Sequence, residues 1–324
     1  MAKVQCELCA KMCIIEEGQS GDCRVRINID GVLRTVVYGF PCSMHIDPIE
    51  KKPLNHFLPG TTIFSVATVG CNLHCKNCQN WEISQANPEE SEAVYLPPAK
   101  LVQLTKQWNC PSLAYTYTEP IIYYEYTLDS SKLAREAGIR NALVTAGYIN
   151  EEPWRRLLKY IDAVTLDLKG ITEDFYRDVC SATLKPVLNA LVVAKACGVE
   201  LEVSNLVIPT LNDKPDQIRQ LVRWVKANLG GETPFHFLGF FPRYKMQHLP
   251  PTSLETLEMA RKIGIEEGLD YVYVGNVASK EGQNTYCPGC KRLLIERSWH
   301  AILQNRVKDG RCPDCSKEIY GVWK

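Results

Sequence analysis

The chain has 324 residues, 45% hydrophobic and 23% charged, a composition that excludes a disordered or fibrous protein. Lys+Arg and Asp+Glu both number 37, so the formal net charge is zero, and bulk charge attracts neither nucleic acid nor a membrane surface. Fifteen cysteines stand in tight clusters, with no apolar secretory core at the N-terminus and no apolar run near the ~20 residues of a membrane span; the expectation is a cytoplasmic metalloprotein, not a disulfide scaffold.

Residues 1–60 form an expected N-terminal metal module and linker. Cys6, Cys9, Cys13 and Cys23 read C-x2-C-x3-C-x9-C, four thiols that complete one site. Zinc and a second [4Fe–4S] cluster both remain open, with zinc favoured because the spacing departs from the common ferredoxin run. Residues 45–56 (HIDPIEKKPLNH) crowd Asp47, Glu50, Lys51, Lys52 and His56 together, either as a solvated loop or as a lid with substrate or proton contacts. Cys110 and Cys197 read as small buried hydrophobes.

Residues 61–280 alternate apolar, β-branched runs with helical spacing. Strands are predicted over 62–69, 112–118, 139–145, 163–168, 200–208, 234–240 and 271–275. Helices are predicted over 99–108, 121–137, 151–160, 183–197, 213–229 and 252–267. Such alternation implies βαβ units and a parallel sheet. The predicted fold is α/β, a full or partial barrel of six or seven units, with its active site at the C-terminal ends of the strands. Residues 281–324 carry Cys287-Pro-Gly-Cys290 and Cys312-Pro-Asp-Cys315. Two such knuckles are a zinc-ribbon signal, closed and structural, with a rubredoxin-like iron site as the lesser alternative.

The loop after the first predicted barrel strand is Cys71-Asn-Leu-His-Cys75-Lys-Asn-Cys78. Three thiolates can grip three corners of a [4Fe–4S] cubane, and the missing fourth leaves one iron open to a ligand. The amino and carboxylate groups of S-adenosylmethionine (SAM) can chelate that iron, and one electron then cleaves the sulfonium C–S bond to a 5′-deoxyadenosyl radical. Zinc completed by His74 is the alternative, and three cysteines within eight residues fit it poorly.

From these residues the chain resembles the radical SAM superfamily. Thr116-Tyr-Thr-Glu-Pro120 is similar to its Gly-Gly-Glu-Pro segment, with Tyr117 and Thr118 in place of the glycines. The resemblance implies that Glu119 receives the SAM ammonium. Asp167-Leu-Lys169 and Val207-Ile-Pro209 resemble segments of pyruvate formate-lyase activating enzymes. Asp167 and Lys169 are thereby implied to approach SAM, with Thr145 nearby, and His236 is a weaker match, since a lone histidine in an apolar strand is more often a satisfied core residue. Asn77 stands where the family places an aromatic residue, and its backbone is implied to meet adenine. The cysteine runs, with Asp47–Leu54, Cys78–Ser84 and Val274–Val277, are similar to the radical SAM member of the AmmeMemoRadiSam system. That implies association with Memo-like and AMMECR1-like proteins and an electron donor such as flavodoxin or ferredoxin.

The expected activity is radical SAM chemistry: SAM cleavage, then hydrogen abstraction from an unidentified small molecule or protein, with Glu119, Asp167 and Lys169 as catalytic residues and Thr118 among those binding SAM. A glycyl radical enzyme activase and a non-catalytic iron–sulfur and zinc scaffold for partner proteins are the alternatives.

Overall fold

A computed structural model describes residues 3–324. Its main sheet contains β1 (Ser43–Pro48), β2 (Thr62–Ala67), β3 (Ser112–Tyr115), β4 (Arg140–Thr145), β5 (Ala163–Asp167), β6 (Glu200–Val207), β7 (Phe235–Gly239) and β8 (Val272–Gly275). The strands lie in the order β8-β7-β6-β5-β4-β3-β2-β1. Chain-order neighbours with a helix between them are what a βαβ sequence dictates. The longer helices are α1 (Pro98–Gln107), α2 (Tyr124–Glu136), α3 (Glu151–Leu158), α4 (Leu184–Ala196), α5 (Pro215–Leu229) and α6 (Leu254–Glu266). No single helix among the described residues is long and apolar enough to cross a membrane.

The chain divides into two compact units. The first comprises residues 1–47, 62–164 and 176–199. Here β2, β3 and β4 pair in parallel, with Ile63 opposite Ser112 and Leu113 opposite Asn141. Strands covered on both faces need apolar side chains throughout, and every residue of β3 is buried. Trp154 of α3 is fully buried and donates its indole N–H to Ala190 O of α4 at 3.0 Å. The N-terminal residues form two short antiparallel pairs, Val4–Gln5 with Ile14–Ile15 and Arg26–Ile29 with Val32–Thr35. Asp30 and Gly31, both at positive φ, make the tight turn of the second pair. Arg26 anchors it to α2 through a 2.8 Å ion pair with Glu125.

The second unit comprises residues 48–61, 165–175 and 200–324. Strands β6, β7 and β8 pair in parallel. α5 buries Ile218, Leu221, Val222, Val225 and Leu229, the 3–4 spacing of one helical face. A three-stranded antiparallel sheet follows, formed by Thr285–Tyr286, Leu293–Ser298 and Ala301–Asn305. Its apolar residues pack with Tyr271, Tyr273 and Ile319 around Cys287 and Cys312. Residues 48–61 belong to this unit and are no solvated loop. Glu50, Lys52 and His56 are buried, and Phe57 bridges to Val322.

Candidate iron–sulfur active site

In the first unit, β2 delivers the cysteine loop directly from its C-terminal end. Gly70 enters it at φ +92°, a conformation that glycine adopts at no steric cost. The loop is pinned along its length. Gly70 N–H donates to Ile83 O at 2.9 Å, His74 N–H to Cys180 O at 3.0 Å, and Lys76 N–H to Val179 O at 2.9 Å. Asn72 Nδ2 donates to Tyr148 O at 2.9 Å. The single turn Tyr176–Cys180 thus supplies two carbonyls to the loop. Cys78 Sγ lies 3.2 Å from Ser84 Oγ, and Leu73 N–H points at Cys71 Sγ at 3.4 Å. Burial first, then the nearby Glu119 carboxylate and Cys75, push the Cys71 thiol well above its ordinary range. Such a thiol gives up its proton to a bound cation rather than to water. His74 is turned to Asp22 (3.0 Å) and Gln85 (2.8 Å), so its ring nitrogens are engaged there rather than with the loop's thiols.

Glu119 and Thr145, separated by 26 residues, meet in this unit. Glu119 is 2% exposed. Its Oε1 accepts from Thr145 Oγ1 at 2.5 Å and its Oε2 from Ala146 N–H at 2.8 Å. Thr118 Oγ1 donates to Thr68 O at 2.8 Å. Tyr117, in place of a family glycine, takes φ +62°, the left-handed region that costs a bulky residue about 1–2 kcal/mol. Its hydroxyl donates to Asp47, and its carbonyl accepts from Asn80 Nδ2 at 2.7 Å. Asn77 is buried, and its Oδ1 has no hydrogen-bond partner, an acceptor that fits a ligand N–H.

In the second unit Asp167 and Lys169 form an ion pair at 2.8 Å, and Ser204 Oγ donates to Asp167. Asn205 and Asn212 hold this segment through Leu168 O (2.7 Å) and Lys169 O (3.0 Å). His236 lies in a different network: its Nε2 is 2.6 Å from Glu202 Oε2, and its ring stacks on Tyr273. Glu202 also accepts the His56 backbone N–H at 2.7 Å. His56 Nδ1 contacts Tyr320 O at 2.6 Å and Nε2 contacts Tyr273 Oη at 2.7 Å. Beside this network, Glu50, Asn55, His236, Tyr273, Arg297 and His300 line a cavity of about 180 Å³. Glu50 Oε2 and Arg297 Nε are buried without a hydrogen-bond partner. Burial raises the Glu50 pKa, against the pull of Arg297. Arg297 escapes sequence reading because its partner Asn55 O (2.9 Å) lies 242 residues away.

The sulfurs of Cys287, Cys290, Cys312 and Cys315 all lie within 4.8 Å of one another, with Cys287 to Cys315 at 3.5 Å and Cys290 to Cys312 at 3.7 Å. Four Zn–S bonds of about 2.3 Å place tetrahedral sulfurs about 3.8 Å apart, so this group fits one metal ion. Cys110 is buried as expected, whereas Cys197 is exposed at the end of α4.

A parallel α/β sheet that delivers a three-thiol loop from a strand end, with a buried carboxylate near its first thiol, fits an enzyme of the radical SAM class. Residues 65–225 match the family model of the radical SAM superfamily, and the chain belongs to that superfamily. It is 50% identical to an uncharacterized protein of Methanocaldococcus jannaschii over 98% of this chain and 95% of that one. It is 27% identical to the pyruvate formate-lyase-activating enzyme of Clostridium pasteurianum over 52% of this chain and 74% of that one. The fold is similar to a radical SAM methyltransferase from Sphaerobacter thermophilus, at 15% identity, 68% of either chain and a TM-score of 0.51.

Proposed function

We propose that this chain cleaves SAM reductively and directs the resulting 5′-deoxyadenosyl radical to hydrogen abstraction from a substrate. The observation that carries this reading is the loop of Cys71, Cys75 and Cys78, pinned by backbone and Asn72 hydrogen bonds at the end of β2, with the buried Glu119 carboxylate in the same unit. A bound [4Fe–4S] cluster supplies the electron and one open iron. The chain's own residues do the rest. Glu119 binds the SAM ammonium, with Thr145 and Thr118 fixing the turn around it. Asn77 Oδ1 offers an acceptor to adenine, and Asp167 and Lys169 orient the remainder of SAM. Zinc closes the four C-terminal thiols and folds that segment. The likeness to an activating enzyme favours a glycyl radical enzyme as the substrate over a small molecule. A flavodoxin or ferredoxin donor, Memo-like and AMMECR1-like partners and a cytoplasmic setting complete the reading. Anaerobically reconstituted protein given reductant and SAM should release 5′-deoxyadenosine. Its absence from fully loaded protein overturns the proposal, and S-adenosylhomocysteine in its place would mark a polar methyl transfer.

A further inference from the structure

We propose that Cys6, Cys9, Cys13 and Cys23 hold a second [4Fe–4S] cluster, not zinc, and that this cluster passes the electron for SAM cleavage to the central one. The first argument is the separation of the sulfurs. A zinc tetrathiolate brings its sulfurs to about 3.8 Å of one another, as the C-terminal group does. Among the described residues that C-terminal quartet is the group of thiols that all lie within 4.8 Å. Cys6, Cys9, Cys13 and Cys23 are set around a common cavity. In a cubane each thiolate binds its own iron at a separate corner, so the sulfurs stand apart by the width of the core.

The second argument is the space between them. All four cysteines line one apolar cavity that admits a water-sized sphere. Sulfurs drawn onto a single zinc ion touch one another and leave no such hole. The third is Arg26 in the wall of this cavity. It is 8% exposed, its Nε has no hydrogen-bond partner, and Glu125 holds its guanidinium at 2.8 Å. A buried N–H left over in this way fits an anionic sulfur acceptor. Backbone N–H groups also point at the thiols, from Asp22 to Cys13 at 3.5 Å and from Val25 and Arg26 to Cys23. Hydrogen bonds to sulfur are one means by which a protein sets a cluster's potential.

The relay rests on the function proposed above and on contact between the two loops. A Cβ built on Gly70 would lie 2.6 Å from Cys23 O, and Asn72 lines the N-terminal cavity. Cys71 sits between these two residues. One electron from a low-potential one-electron protein donor reduces the N-terminal cluster from 2+ to 1+. The same electron then reduces the central cluster from 2+ to 1+, which returns the first to 2+, with no bond made and no proton moved.

Metal analysis of the full chain, loaded anaerobically with iron, sulfide and zinc, tests the site. The triple variant Cys71→Ala/Cys75→Ala/Cys78→Ala should keep about four iron atoms and about one zinc, with a reduced-cluster EPR signal. An iron-free triple variant holding about two zinc ions overturns the proposal. Should that variant fail to fold, Cys6→Ser/Cys13→Ser decides the same point: loss of about four irons supports the cluster, and loss of one zinc with iron unchanged overturns it. In that double variant, 5′-deoxyadenosine formation should fall at least about ten-fold with a flavodoxin donor and persist with dithionite, a difference of ~1.4 kcal/mol in barrier. Equal rates with both donors overturn the relay. A wild-type protein that forms no 5′-deoxyadenosine sinks the function instead, while the metal counts still decide the site.

Discussion

Replacing Gly70 by alanine tests whether the cluster loop is built against the N-terminal module. Two penalties act on the new methyl group. The backbone at φ +92° disfavours any side chain by about 1–2 kcal/mol. The methyl would also lie 2.6 Å from Cys23 O and 2.7 Å from Val25 Cγ1, where carbon contacts settle at about 3.5–4.0 Å. Cys23 O is backbone and cannot rotate away, so the loop or the module must shift, at about 1–3 kcal/mol for an overpacked site. The expected total is about 2–5 kcal/mol, with loss of iron because Cys71 moves with Gly70. Gly138 supplies the control: its φ is +76° and nothing lies within 4 Å of its built Cβ. Gly138→Ala should therefore cost only the backbone part, about 1–2 kcal/mol. Urea unfolding of both variants at matched metal loading, with iron counted beside it, separates the two contributions. Equal losses in the two variants would show that the close approach carries no energy and that the loop does not lean on Cys23.

Glu119→Gln keeps the shape of the side chain and removes its charge, so SAM affinity by equilibrium dialysis should fall about 10–100-fold with iron unchanged; unaltered affinity excludes Glu119 as the ammonium partner. Burial pushes His56 down to about 4, against about 6.5 when unfolded. A depressed histidine means that the unfolded chain takes up the proton first, so stability present above pH 6.5 is lost as pH falls toward 4, by about 3 kcal/mol. His56→Asn should flatten that part of the urea stability profile, and an unchanged slope refutes the assignment. Cys312→Ser should release the C-terminal metal and open the chain beyond residue 280 to limited proteolysis, leaving iron in the central loop untouched; protease resistance equal to wild type would show that this segment folds without its metal.

The alternation of strands and helices was legible because each element carries its own periodicity. All seven predicted barrel strands and all six helices fall within a few residues of the observed ones, as for β6 (predicted 200–208) and α5 (predicted 213–229). The hairpin turn at Asp30-Gly31 also carries a signal, a dipeptide suited to two successive positive φ values, which the cysteine pattern overlies. What stayed hidden depends on partners remote in sequence. The charges of 45–56 look like a solvated run until Tyr117 donates to Asp47, Gly60 to Glu50, and Glu202 accepts from the His56 backbone.

Tyr117 shows most directly how far a motif carries. Glycine at that position of the family segment leaves the backbone free to turn at positive φ. The turn survives here at φ +62° with a residue that pays about 1–2 kcal/mol to make it. The hydroxyl bond to Asp47 and the Asn80 bond to the Tyr117 carbonyl offset that cost, since a hydrogen bond to a charged partner contributes about 1.5–3 kcal/mol. The geometry that presents Glu119 is therefore held by side chains from two other segments, not by the absence of one. A motif search for glycines misses this segment, while the turn that the glycines would make is present.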